Sequence, residues 1–330
     1  MKRSYYIYNN GSLRRKDNTL TFTDENDDKR DLPIEQINDI YVMSEMTFNT
    51  SLINLLSQYG IPVHFFNYYS FYTGSFYPRE HLVSGNLLVS QVEHYTDHEK
   101  RMELAKAFIE GASYNIYRNL RYYNGRGKDV QSYMDAIEDL RKQIPKAQSI
   151  QELMGYEGNI RKTYYSAWPV IIDQEIEFEK RVKNPPDNMV NTLISFVNTL
   201  IYTKVLGEIY QTQLNPTVSY LHEPGDRRFS LSLDLAEIFK PILGDRLIFS
   251  LLNRKQITEK SFTKGLNYLH LSQNASKTIV AELDAKMQTT IKHKALNKTV
   301  SYQYLMRLEC YKLVKHLLGE KVYEPFEIWW

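Results

Sequence analysis

The chain holds one cysteine, Cys310, in 330 residues. A disulfide framework within the chain is thereby excluded, and so is a zinc site built on several thiolates. Its setting, Arg307-Leu308-Glu309-Cys310-Tyr311, reads as helix and predicts a buried, inert thiol. No run of about 18 apolar residues occurs. Met1 is followed by Lys2-Arg3-Ser4 and a short Tyr/Ile run, not by an apolar leader. The expectation is a soluble, cytoplasmic protein with no membrane partner. A large charge of one sign is lacking too: the formal net charge is +2. Its distribution is uneven. Residues 240–330 carry 15 Lys and Arg against 8 Asp and Glu, a net of +7, while the remainder nets −5. A basic C-terminal quarter suits phosphate, although a solvated helical surface produces the same bias.

What is abundant is tyrosine, at 26 residues. Its apolar ring and polar tip suit half-wet surfaces and base stacking, and core edges equally. The length allows one large or two medium domains. Residues 1 to about 85 read as strands. Tyr5-Tyr6-Ile7-Tyr8 ends at Asn9-Asn10-Gly11, a hairpin-type turn signal, and Thr19 to Thr23 alternates at period two. One helix interrupts, Ser51 to Tyr59, closed by Gly60. From about Gln91 the period changes: Met102, Ala105, Phe108, Ile109, Ala112, Ile116 and Leu120 follow helical spacing. Further helices are expected over about 129–143, 150–180, 188–212 and from about 233 onward. Pro185-Pro186-Asp187 marks a stop and an N-cap. The predicted architecture is α+β: a small β-rich domain, 1–88, then a larger all-α domain, 89–330.

Three constellations carry potential chemistry. Gly155-Tyr156-Glu157-Gly158 lies inside a helical stretch, where each glycine costs about 1 kcal/mol relative to alanine. Bare backbone on both sides of Glu157 admits a ligand or another helix. His222, in Tyr220-Leu221-His222-Glu223-Pro224-Gly225, sits at an element end, as a ligand, a base or a surface residue. Asp234 and Glu237 are i,i+3 on one helix face and repel unless a cation lies between them. Placement in a first turn would relieve them equally well, through the helix dipole. Glu157, His222 and Glu237 together offer two carboxylates and an imidazole, a set that suits Mn²⁺ and tolerates Mg²⁺.

The combination resembles the CRISPR-associated Cas-one family. That family's pattern is a Gly-x-Glu-Gly helix, then a histidine, then an acidic i,i+3 pair before Phe-(Arg/Lys)-Pro. Here these are residues 155–158, His222, and Asp234 with Glu237 before Phe239-Lys240-Pro241. Lys183 to Asn191 resembles the family's Pro-Pro-x-(Asp/Asn) helix start. The tail, with Val300-Ser301-Tyr302, Tyr323-Glu324-Pro325-Phe326 and Trp329-Trp330, is similar as well. Two departures stand out: Arg161 replaces a commonly small residue, and Glu237 stands where aspartate is frequent.

The resemblance implies an integrase and endonuclease that inserts spacer DNA into CRISPR arrays. A Mg²⁺ or Mn²⁺ ion would be held by Glu157, His222 and Glu237, with Asp234 beside it in the catalytic set. It also implies double-stranded DNA as substrate, both prespacer and repeat, a homodimer formed through the β-domain, and assembly with a Cas-two dimer. Lys240, Arg227, Arg228 and Arg161 are candidate phosphate contacts. The competing expectations are a non-catalytic DNA-binding scaffold and a structure-specific repair nuclease with the same site.

Overall fold

The computed structural model describes the whole chain except residues 1, 68–70, 80–81, 184, 227–228, 265–268, 294–295 and 330. The chain forms two compact units, Met1–Val83 and Ser84–Trp330.

The first unit holds two sheets. Strands β1 (Arg3–Ile7), β2 (Gly11–Lys16), β3 (Thr19–Asp24), β4 (Lys29–Pro33), β5 (Ile37–Val42) and β6 (Met46–Thr47) precede helix α1 (Thr50–Tyr59), and β7 (Val63–Phe66) and β8 (Tyr72–Phe76) follow it. One sheet has the order β1-β5-β7-β8, the other β4-β3-β2-β6. Leu13, Leu20, Ile37 and Ile40 supply its core, closed by Leu52, Leu55 and Leu56 of α1. Asn49 caps α1 by accepting from Leu52 N, and Gly60 ends it at φ +64°. The expected hairpin at Asn9-Asn10-Gly11 does not form. β1 pairs in parallel with β5, and β2 pairs with β3 and β6 in the other sheet. The turn residues therefore carry the chain between sheets. Gly11 is required there because a Cβ would lie 2.1 Å from the Thr23 carbonyl oxygen.

The second unit is built on helices α2 (Gly85–Thr96), α3 (His98–Asn124), α4 (Gln131–Arg141), α5 (Ile150–Ser166), α6 (Trp168–Ile171), α7 (Met189–Tyr210), α8 (Ser230–Phe239) and α9 (Arg246–Asn253). The hairpin β9 (Phe262–Lys264) and β10 (Leu269–Leu271) comes next, followed by α10 (Gln273–Gln288). A second hairpin, β11 (Thr290–His293) and β12 (Lys298–Ser301), leads into α11 (Tyr302–Leu317). These hairpins correct the all-α expectation: among the described residues, four short strands accompany the helices. Side-chain caps set most starts. Ser84, Asp97, Ser149, Asn188, Ser272 and Ser301 each accept a backbone N–H of their own first turn. The cap of α7 is Asn188, and Asp187 instead accepts from the Asn191 amide. The expected helix over 150–180 is shorter: α5 ends at Ser166, and Pro169 lies in the one-turn α6. Among the described residues α7 is long and apolar enough to cross a membrane, but 78% of that window is buried against its neighbours, as for a core helix.

Helix α8 packs on α3 and α7, and α5 packs on α3 and α4. The chain leaves α8 through a π-helical turn, Lys240–Asp245, containing Pro241. Proline has no N–H to continue the α ladder, so the backbone widens there. The buried Asn119 of α3 donates to the Pro241 carbonyl at 2.6 Å.

Candidate metal centre

The loop before α8 has little regular structure, yet it is tied on every side. Asp234 is fully buried on α8. Its Oδ2 accepts from Tyr220 N at 2.7 Å and Leu221 N at 3.0 Å; its Oδ1 accepts from His222 N at 2.9 Å and His222 Nδ1 at 2.8 Å. Arg101 of α3 donates to the Tyr220 carbonyl at 2.9 Å and pairs with Glu223 at 2.6 Å. Gln91 of α2 exchanges two hydrogen bonds with Asn215. The imidazole is thus fixed with its proton on Nδ1, and Nε2 is left for other chemistry. Asp234 has no free oxygen for an ion, so its place is behind the histidine as a positioning residue. The first-turn reading fails as well: α8 begins at Ser230, and neighbouring backbone N–H groups, not the helix dipole, stabilise Asp234.

Glu237 lies one turn further along and is 6% exposed. Arg161 Nη2 donates to its Oε2, and Lys240 Nζ to its Oε1 at 2.5 Å. Burial works against this carboxylate, but Lys240 and Arg161 outweigh it and hold it well below the ordinary range. Arg161 also reaches Glu157 Oε1 at 3.4 Å, and Asp245 at 3.8 Å. The Glu157 side chain is 23% exposed. Burial and then the Glu237 charge push its carboxyl above the usual value, with Arg161, Lys240 and His222 opposing. For His222, burial disfavours the imidazolium, yet the Asp234 bond and charge, aided by Glu237, raise it above its ordinary value.

Glu157, His222 and Glu237 therefore come from α5, the loop and α8 into mutual electrostatic reach. Among the described residues, no three His, Cys, Asp or Glu side chains are posed to share an ion. Both oxygens of Glu237 are taken by cations, one of which must yield for an ion to bind. The donor chemistry otherwise fits a hard divalent ion: two carboxylates kept together despite repulsion, and an imidazole presenting Nε2. Among the described residues, Gly155 and Gly158 face open space: a Cβ added at either would meet nothing within 4 Å. Helix packing does not explain them. Alanine at either position is expected to raise stability by about 0.5–1 kcal/mol, read by urea titration; a loss would mean the positions are packed.

The remaining candidates divide. Arg161, expected as a phosphate contact, is 9% exposed and engaged by three carboxylates, which draw it inward. Lys240 is likewise drawn onto Glu237. Arg227 and Arg228 lie outside the described residues. Sequence reasoning missed Asp245, which burial pushes up to about 7 and which stands behind Arg161. Its only signal was an acid closing an otherwise apolar run after Pro241.

Residues 5–285 match the family described as CRISPR associated protein Cas1. The chain belongs to the Cas1 family. A CRISPR-associated endonuclease Cas1 from Fusobacterium nucleatum subsp. nucleatum is 68% identical over 330 residues, covering 100% of this chain and 98% of that protein. A solved CAS1 protein from Thermotoga maritima is 40% identical, with a TM-score of 0.87 over 98% of this chain and 100% of that one. A casposase bound to integration product shares the Cas1 fold, with a TM-score of 0.85 at 20% identity over 97% of this chain and 91% of the casposase.

Proposed function

We propose that this Cas1-family chain is a metal-dependent DNA integrase and endonuclease that inserts spacer DNA into CRISPR arrays. The observation that carries the reading is that Glu157 and Glu237, linked through Arg161, lie within electrostatic reach of an oriented His222. Glu157, Glu237 and His222 Nε2 are the groups that would hold Mg²⁺ or Mn²⁺. Such an ion supplies Lewis-acid polarisation of a phosphoryl oxygen and neutralises charge on it. The side chains do the rest. Asp234 keeps His222 in one tautomer and one direction. Arg161 and Lys240 offset the carboxylate charge that would otherwise repel a phosphodiester. The open backbone at Gly155 and Gly158 lets a strand approach Glu157 closely.

In the reaction, a 3′-hydroxyl attacks a phosphodiester of the repeat. One P–O bond forms, another breaks, and the displaced strand leaves with a new 3′-hydroxyl. Water in the same position gives hydrolysis. The endonuclease name of the Fusobacterium relative, and a casposase of this fold bound to its integration product, support this assignment. The same reading assigns double-stranded prespacer and repeat DNA, a homodimer, a Cas-two dimer and the cytoplasm.

One observation favours a second reading. The ion pairs that close over Glu237 are also what a purely structural network would look like, as in a non-catalytic DNA-binding scaffold. The test is a gel assay of strand joining on a repeat-containing plasmid and on a plain branched junction, in Mn²⁺ and in EDTA. The integrase reading expects joining on the repeat plasmid in Mn²⁺ only. Cleavage confined to the junction would favour a repair nuclease, and metal-independent binding without chemistry would favour the scaffold.

A further inference from the structure

Three further cations lie over two tyrosine rings. Arg126, just beyond α3, lies over the Tyr122 ring at 4.7 Å, and Arg246, at the start of α9, lies over the same ring at 5.4 Å. Lys286 of α10 lies over Tyr302 at 4.8 Å. Among the described residues, none of the three forms an ion pair; the nearby Asp173 is held by Lys128 at 2.6 Å. Burial, and then the like charge of Arg246, push the Lys286 ammonium below its ordinary value.

The arrangement is built from beneath. Asn119 is fully buried and uses its whole amide: Nδ2 donates to Pro241 O and to Tyr164 OH, and Oδ1 accepts from Arg246 Nε at 2.6 Å. Fixing Nε aims the guanidinium and leaves both Nη groups, the fork that matches an oxyanion, without a hydrogen bond among the described residues. Holding half-buried like charges together costs free energy that an arriving anion relieves. Tyrosine faces lend the cations partial compensation meanwhile.

We propose that Arg246 and Lys286, with Arg126 at the rim, form an anion site that seats neighbouring backbone phosphates of the nucleic acid on which the chain acts. This rests on the nucleic-acid reading above. A strand, unlike a free phosphate, reaches several cations on separate elements at once, and the two inner ones belong to the basic stretch of residues 240–330.

The test uses the full chain, a labelled DNA duplex and fluorescence anisotropy in EDTA over a salt series. Each phosphate contact contributes about 0.9 to the slope of log affinity against log salt. Arg246→Gln with Lys286→Gln is expected to flatten that slope by about 2 and to weaken binding roughly tenfold or more at about 0.1 M salt. Lys286→Gln alone gives about half the slope change with a melting temperature at or above that of wild type, which separates lost contact from lost fold. Slopes and affinities equal to wild type in both variants overturn the site. Inorganic phosphate shifting the melting of wild type but not of Lys286→Gln, with DNA affinity unchanged, also overturns it, in favour of a free-anion site. A wild type that binds no duplex sinks this site and the preceding reading together; a wild type that binds, with variants alike, sinks this site alone.

Discussion

Glu157→Gln is expected to melt at or above the wild-type temperature in metal-free buffer and to have lost strand transfer by about 10³-fold, the equivalent of roughly 4 kcal/mol. Both effects follow from one fact. Glu157 is a carboxylate kept close to Glu237, and its only hydrogen bond among the described residues is a long one of 3.4 Å to Arg161. Burial and the neighbouring charge disfavour its ionised form. A neutral amide of the same shape removes that repulsion, so the fold gains while a hard cation loses an anionic oxygen. Functional sites commonly carry such stability costs. Mn²⁺ should then raise the melting temperature of wild type and leave Glu157→Gln unmoved, because only a state that binds is stabilised. The measurement is a pair of thermal scans with and without Mn²⁺, beside a strand-transfer time course. A variant that melts lower than wild type without metal, or that still responds to Mn²⁺, would contradict the role given to Glu157. Glu237→Ala is the poorer probe, since it takes one of three carboxylates from the buried Arg161 and leaves the half-buried Lys240 without its ion pair.

Asp234→Ala is expected to lose roughly 3–5 kcal/mol of stability, and strand transfer with it. The substitution leaves three backbone N–H groups, of Tyr220, Leu221 and His222, without their acceptor in a buried place, and frees the imidazole. Asn is not a gentle replacement. Its amide nitrogen must face one of the two donor pairs that the carboxylate oxygens now receive, so Asp234→Asn should lose a substantial part of the same stability. Urea denaturation of both variants checks this. A change below about 1 kcal/mol in Asp234→Ala would mean that the 219–223 loop is held chiefly by Arg101 and Gln91.

Local signals were legible in the sequence wherever one element decides the outcome. The α1 helix with its Gly60 stop, the long amphipathic α3 and the break before α7 each follow from spacing and capping chemistry within a few residues. The order of a strand-rich part and a helical part is equally local. Pairing is not. Asn9-Asn10-Gly11 is a good turn, but whether β1 meets β2 or β5 is settled by which sheet buries Ile7, Ile37 and Ile40, residues some 30 positions apart. The strands after α9 are three or four residues long, too short to show a period, and so vanish into an expected helix. At the site, residue types were legible and their roles less so. Asp234 reads as an ion neighbour until the backbone of 220–222 is seen to fill both its oxygens. Arg161 reads as a surface cation until Glu157, Glu237 and Asp245, from three different turns of chain, are seen to surround it. A buried charge is decided by partners distant in sequence, which no spacing rule reports.

The proposed chemistry turns on whether one divalent ion is shared by two glutamates and a histidine. The most direct measurement is a crystal structure of the full chain grown with Mn²⁺ and phased on the manganese anomalous signal. It is expected to show one ion bonded at about 2.0–2.3 Å to oxygens of Glu157 and Glu237 and to Nε2 of His222, with Arg161 or Lys240 drawn off Glu237. A structure with saturating Mn²⁺ in which both cations still hold Glu237 and no ion touches Glu157 or His222 would contradict it.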